Sequence, residues 1–235
     1  MATVLYLRNT TTNGITDTGD AVVYDMVITA GAALDTRVVT LVASGTEIQW
    51  TKTAGGNSMA FISGRVPVGG FTLAAEPTCS IWGEESNVND NTTWGFKLYK
   101  YVPGPTITQI EAIAEDGVEF TTSPTERTKV LGTVDPDITF AENDRILLRL
   151  FAVDIGTMTA GTATLSFNAA AGATGDSFLS IVEAVTFKAE AAAIRASVMY
   201  GTAWKAVAGI WIMISGAWKA VTKANVMYGG AWKDV

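Results

Sequence analysis

None of the 235 residues is a histidine. That absence removes Ser-His-Asp and Cys-His catalysis, HExxH zinc sites and every other His-ligated metal centre. Cysteine is nearly as scarce. Cys79 stands alone, so no internal disulfide and no cysteine zinc site can form, and the role expected of it is that of a small buried apolar side chain. Charged residues make up 17% of the chain, and the formal net charge is −7. Phosphate neutralisation needs clustered Lys and Arg, so nucleic acid is not an expected partner. Neither GxxxxGK[ST] nor a helix-opening GxGxxG occurs, which leaves nucleotide cofactors, and cofactors in general, without support. Long apolar runs are missing too. AVAGIWIMISGAW is too short to cross a bilayer and is broken by Gly and Ser, so no membrane partner is expected. The start, MATVLYLRNTTTNG, lacks the basic segment and apolar run of a signal peptide, and synthesis in a cytosol is expected.

What the chain does contain is apolar, turn-rich sequence. Hydrophobic residues reach 48% and mean hydropathy is +0.26, too apolar for a disordered chain. Residues 1–187 read as a series of short strands rich in Val, Leu, Ile and Tyr. TVLYLR (Thr3–Arg8), AVVYDMVI (Ala21–Ile28), TRVVTLVA (Thr36–Ala43), WGFKLYKYV (Trp94–Val102), RILLRLFAV (Arg145–Val153), GTATLSF (Gly161–Phe167) and SFLSIVEAVTF (Ser177–Phe187) are the clearest. In WGFKLYKYV, Phe96 and Leu98 alternate with Lys97 and Tyr99, the period of a half-buried strand. Turn signals such as TNG, AGGN, PGP, DPD and END fall between them. Around ten strands without a sustained 3.6-residue period predict an all-β fold, an antiparallel β-sandwich of jelly-roll type.

The Ala-rich segment 188–197, KAEAAAIRAS, breaks this style and reads as a linker, helical or semi-rigid. Beyond it, residues 198–235 repeat one phrase three times: VMYGTAWKAV, IMISGAWKAV and VMYGGAWKDV. The period is 14 residues throughout, for Met199, Met213 and Met227, for Trp204, Trp218 and Trp232, and for Lys205, Lys219 and Lys233. Folding each phrase back at Gly201-Thr202, Ser215-Gly216 and Gly229-Gly230 predicts three β-hairpins, each with one Met–Trp cross-strand pair. Lone hairpins are marginal in water, so these six Met and Trp residues are the candidates for assembly and interaction. Charge separates the segments as well. Four lysines stand against Asp234 after residue 195, a net +3, which leaves −10 on the rest of the chain.

Phrases of the form GGAWKxV resemble repeats near the ends of bacteriophage virion proteins, tail-fibre and minor structural proteins above all. Gly216-Ala217-Trp218-Lys219 and Gly229-Gly230-Ala231-Trp232-Lys233 carry the likeness, with Thr202-Ala203-Trp204-Lys205 as a variant. FAENDRILLRLFA and GTATLSF add a likeness of style to jelly-roll virion modules. The resemblance implies a non-enzymatic structural protein of the virion, a homotrimer, with other virion proteins such as the major capsid protein or tail components as partners. Decoration or cementing of the capsid surface is the leading expectation, since 235 residues leave no room for a long fibre shaft. A short tail fibre or receptor-binding protein that recognises host surface glycan is the alternative, and a carbohydrate-binding module is a weaker third.

Three possible sites remain. Trp82 and Trp94 bracket the loop GEESNVNDNTTW and are candidates for glycan contact, against the plainer reading that they fill the core; Trp50, Tyr99 and Tyr101 are further candidates. The loop supplies Glu84, Glu85, Asn87, Asn89, Asp90 and Asn91, oxygen ligands of the sort Ca²⁺ takes, but its spacing is not that of an EF-hand and a solvated loop is the favoured reading. Carboxylates such as Glu111 and Glu115 could serve glycoside hydrolysis, but nothing in the sequence selects a pair. No catalytic residue and no metal ligand is therefore expected.

Overall fold

A computed structural model of the chain describes residues 2–41, 47–52, 58–89, 91–104, 106–110, 113–132, 137–154 and 161–188, and the strand segments within 196–234. The described residues are all β, without a helix. The chain divides into two compact units, Met1–Ala189 and Glu190–Val235. Most of the Ala-rich linker lies outside the described residues.

Among the described residues the first unit holds fifteen strands. They are β1 (Thr3–Leu7), β2 (Val22–Val27), β3 (Asp35–Thr40), β4 (Glu47–Gln49), β5 (Met59–Ser63), β6 (Phe71–Leu73), β7 (Thr78–Glu85) and β8 (Thr92–Val102). There follow β9 (Thr106–Gln109), β10 (Ala114–Glu115), β11 (Thr125–Val130), β12 (Ile138–Phe140), β13 (Arg145–Asp154), β14 (Thr162–Phe167) and β15 (Phe178–Ile181). Thirteen form one sheet in the order β10, β8, β13, β5, β2, β1, β15, β7, β14, β3, with β11 on β7, β4 on β13 and β9 on β8; β6 and β12 pair separately. The longest ladder joins β8 and β13, from Arg145 opposite Tyr101 to Asp154 opposite Thr92.

One pairing departs from the expected antiparallel arrangement. β2 lies parallel to β5, Val23 beside Ala60 and Asp25 beside Ile62, so the sheet is mixed. The chain between them passes through β3 and β4, a connection long enough for a parallel return, which a tight turn does not permit.

The inner face of the sheet is buried around a group of aromatic rings. Phe61 of β5 and Phe167 of β14 meet edge to face with ring centroids 5.3 Å apart. Tyr24 packs against both rings. Around this contact gather Leu5, Leu7, Met26, Ile81, Leu98, Leu148 and Leu165, all fully buried. Trp50 and Trp94 lie in the same core. Gly83 has a structural reason: a Cβ there would come within 2.4 Å of the Phe120 ring, so only glycine lets Phe120 close over β7.

The outer face of β2, β5, β13 and β8 is buried as well, contrary to the half-buried period read from β8. Tyr99, Tyr101, Val23, Ala60, Ile62 and Leu147 form a second apolar cluster there, joined by Ile15 and Ile107. The connection from β1 to β2 lies over it, held by two carboxylates. Asp25 accepts hydrogen bonds from Thr10 Oγ1 (2.5 Å), Thr12 N and Oγ1 (2.9 and 2.8 Å) and Asn13 N and Nδ2 (3.1 and 2.6 Å). Asp20 takes Arg149 Nε and Nη2 (3.0 and 2.8 Å) and Gln49 Nε2 (2.7 Å). Burial works against the Arg149 charge, but the hydrogen bonds and charges of Asp20 and Tyr99 together outweigh it, and the guanidinium is held above its ordinary pKa. The same guanidinium lies over the Tyr99 ring, 4.7 Å from its centroid.

Asp20→Ala strands the Arg149 charge on a half-buried face and frees the connection above it. The expected loss is about 3 kcal/mol, the lower end for breaking a buried pair, read by chemical denaturation of the full chain. A loss under about 0.5 kcal/mol, the size of a neutral surface change, would show that this clamp does not hold the loop.

Candidate functional surfaces

The two bracketing tryptophans separate in the structure. Core-facing and outward positions alternate along β7 and β8, and Trp94 falls on the inner face, 0% exposed and stacked on Phe96 at 6.0 Å. No sugar reaches it, which corrects the expectation of glycan contact at Trp94. Trp50, 0% exposed, Tyr101 and Tyr99 are withdrawn for the same reason. Trp82 falls on the outer face of β7 and stays partly exposed.

That outer face carries two further aromatic side chains absent from the sequence reading. Tyr6 of β1 stands opposite Phe178 of β15, and Phe178 stands opposite Ser80 of β7, two residues from Trp82. The Tyr6 and Phe178 rings meet edge on at 6.1 Å, and both remain partly exposed. Their signal is the alternation itself. Tyr6 sits between Leu5 and Leu7 and Phe178 precedes Leu179, so once the leucines face the core the aromatics face out. Ser80, fully buried among them, donates to Glu126 Oε1 at 2.7 Å and accepts from Thr128 Oγ1 at 3.1 Å. Glu126 is thereby fixed beside Trp82, directly opposite it in the β11–β7 ladder.

The loop after β7 does not bring its carboxylates together. Glu84 faces outward while Glu85 is buried and accepts from Thr92 N at 3.1 Å. Asp90 lies outside the described residues. Among the described residues no group of three or more acidic or cysteine side chains is placed to hold a metal ion. Glu115 is exposed at the end of β10, and Glu111 lies outside the described residues. Burial raises the Cys79 thiol well above its ordinary pKa, so it is no nucleophile.

In the second unit the strands are β16 (Ala196–Tyr200), β17 (Ala203–Val207), β18 (Trp211–Ile214), β19 (Ala217–Ala220), β20 (Asn225–Tyr228) and β21 (Ala231–Asp234). They pair as three separate two-stranded antiparallel sheets. Met199 stands opposite Trp204, Met213 opposite Trp218 and Met227 opposite Trp232. The flanking register pairs are Val198–Lys205, Ile212–Lys219 and Val226–Lys233. The turn residues lie outside the described residues.

No family model matches the chain, and no curated protein matches it. Solved structures do. An aminopeptidase from a marine sediment archaeon, Thaumarchaeota archaeon, matches over 79% of this chain with a TM-score of 0.50 at 11% identity. A CocE/NonD family hydrolase from Staphylococcus aureus matches with a TM-score of 0.47 at 8% identity, and an alpha-amino acid ester hydrolase with 0.43 at 11%. The chain spans only 36–37% of the length of those three proteins. At such identity the likeness is one of fold. It nevertheless overturns the expectation that the chain is no enzyme: the aminopeptidase, with a TM-score of 0.50, is an enzyme with a like fold, so the fold gives no ground for excluding catalysis.

The two tryptophans should behave differently when truncated. Trp94→Ala leaves a large cavity and is expected to cost about 3–5 kcal/mol. Trp82→Ala, on an open face, is expected to cost about 1 kcal/mol or less. Urea titration of both variants checks this, and equal losses would contradict the assignment of Trp82 and Trp94 to opposite faces.

Proposed function

We propose that the chain is a structural protein of a bacteriophage virion, with a jelly-roll-type sandwich body and a tail of three Trp hairpins through which copies assemble. The observation that carries this reading is the repetition in the tail. Three hairpins share one register, each with Met opposite Trp, and a two-stranded ribbon buries too little to be stable alone. Residues repeated at a fixed period with large apolar side chains suit a surface that is completed by other copies. The thirteen-stranded sheet with its buried inner face supports a sandwich body, and the GGAWK-type phrases support the virion context.

The working arrangement is a homotrimer that decorates or cements the capsid surface. The sequence of the tail is basic, at +3, whereas the remainder is acidic, at −10. Opposite charge of this kind speeds correct docking and sets register more than it adds affinity. In this reading the Met–Trp pairs supply the apolar contact and the lysines steer it.

Light scattering on the full chain and on a Trp204→Ser/Trp218→Ser/Trp232→Ser variant tests the assembly. A trimer that becomes a monomer is the expected pair of results. Immunogold labelling of the intact virions tests the location, with label over the capsid shell expected. An oligomer unchanged by the triple substitution would remove the tail from assembly, and unlabelled particles would remove the virion role.

A further inference from the structure

The outer face of β1, β15 and β7 is left open although three of its side chains are aromatic. Neighbouring strands lie about 4.8 Å apart and alternate residues about 7 Å apart along a strand, so the line from Tyr6 through Phe178 to Trp82 runs roughly 12 Å across the face. Beside the rings runs a row of Val4, Ser180, Thr78 and Val130, two hydroxyls between two partly exposed valines, and next to Trp82 stands the carboxylate of Glu126, held by Ser80. None of the outward strand positions on β1, β15, β7 or β11 is Lys or Arg. On β11 the cations Arg127 and Lys129 alternate to the opposite face, and Arg127 Nη2 is committed to the Glu119 carbonyl.

We propose that this face binds a neutral, hydroxyl-rich glycan chain, with Tyr6, Phe178 and Trp82 as the ring contacts and Glu126 as the hydroxyl acceptor. A pyranose ring offers an apolar C–H face and a rim of hydroxyls. The platform answers both, with partly exposed aromatic surface for the first and oriented oxygens for the second. Charge selects among occupants. Glu84 and Glu126 repel uronic and sialic acids, phosphorylated polymers and nucleic acid. A second copy docked on the same face would set these carboxylates against each other in the middle of an acidic body. Ser80 prepares the acceptor: its hydroxyl, buried under the rings, holds Glu126 in place before the ligand arrives.

This inference does not rest on the assembly reading, because it uses no residue of the hairpins. The test is an array of neutral and acidic glycans probed with the full chain, followed by calorimetry on the best neutral ligand. Binding to a neutral glycan is expected, at least about tenfold weaker in Trp82→Ala and within about threefold of the parent in Trp82→Phe, which keeps a ring. Circular dichroism confirms that the variants fold, and the triple hairpin-tryptophan variant is expected to keep full glycan affinity per chain. No neutral glycan bound, preferential binding of acidic glycans, or binding that survives Trp82→Ala but vanishes in the hairpin variant would each overturn the proposal. A monomeric hairpin variant that still binds glycan would leave the platform standing, whatever becomes of the virion reading.

Discussion

The contact of Phe61 with Phe167 is the constraint on which the first unit depends. The two rings meet edge to face, and Tyr24, which stands beside Phe61 in the β2–β5 ladder, packs against both. The rest of the core is built around this contact. Leu5, Ile81, Leu148 and Leu165 share that interior with Trp94, and glycine at position 83 admits the Phe120 ring. The outer side of the sheet has two faces with different fates. One is sealed by the connection from β1 to β2, while the other is left open with its aromatics in view.

The two faces show how the same alternation serves different ends. On β8 and β13 the outward residues are Tyr99, Tyr101, Leu147 and Arg149, and they are covered. Covering them requires the polar groups of the connection to be satisfied, which Asp25 and Asp20 accomplish with a dense set of hydrogen bonds. On β1, β15 and β7 no segment supplies equivalent partners among the described residues. Tyr6, Phe178 and Trp82 therefore stay at intermediate exposure.

Much of the strand content was legible in the sequence because Val, Leu, Ile and Tyr cluster where the core is. β1, β2, β8, β13 and β14 begin and end within a few residues of the runs that predict them. Strands without an apolar side escaped. β11, TERTKV, lies at the margin of the sheet with alternately half-exposed and exposed residues, so its sequence carries no hydrophobic period. The parallel pairing of β2 and β5 also left no local trace, because it depends on how a long connection returns and not on either strand. The same limit applies to Trp82 and Trp94. Both flank one loop, and only the register of β7 and β8 decides that one faces the core and the other the solvent. Tyr6 and Phe178 are 172 positions apart in sequence, and the ladder between β1 and β15 alone makes them neighbours.

The repeat was the most legible feature and the site the least, and the reason is physical. A hairpin is a local structure whose register is set by its turn, whereas a surface platform is assembled from three strands drawn from both ends of the chain. The central claim is that the core of the first unit is built on the contact of Phe61 with Phe167, and a double-mutant cycle between these two positions tests it most directly. With Phe61→Leu, Phe167→Leu and the double variant, the account predicts a coupling energy of about 1 kcal/mol, as expected for an edge-to-face aromatic pair in contact. Strict additivity of the two losses would mean that the rings do not meet, and this account of the core would have to be abandoned.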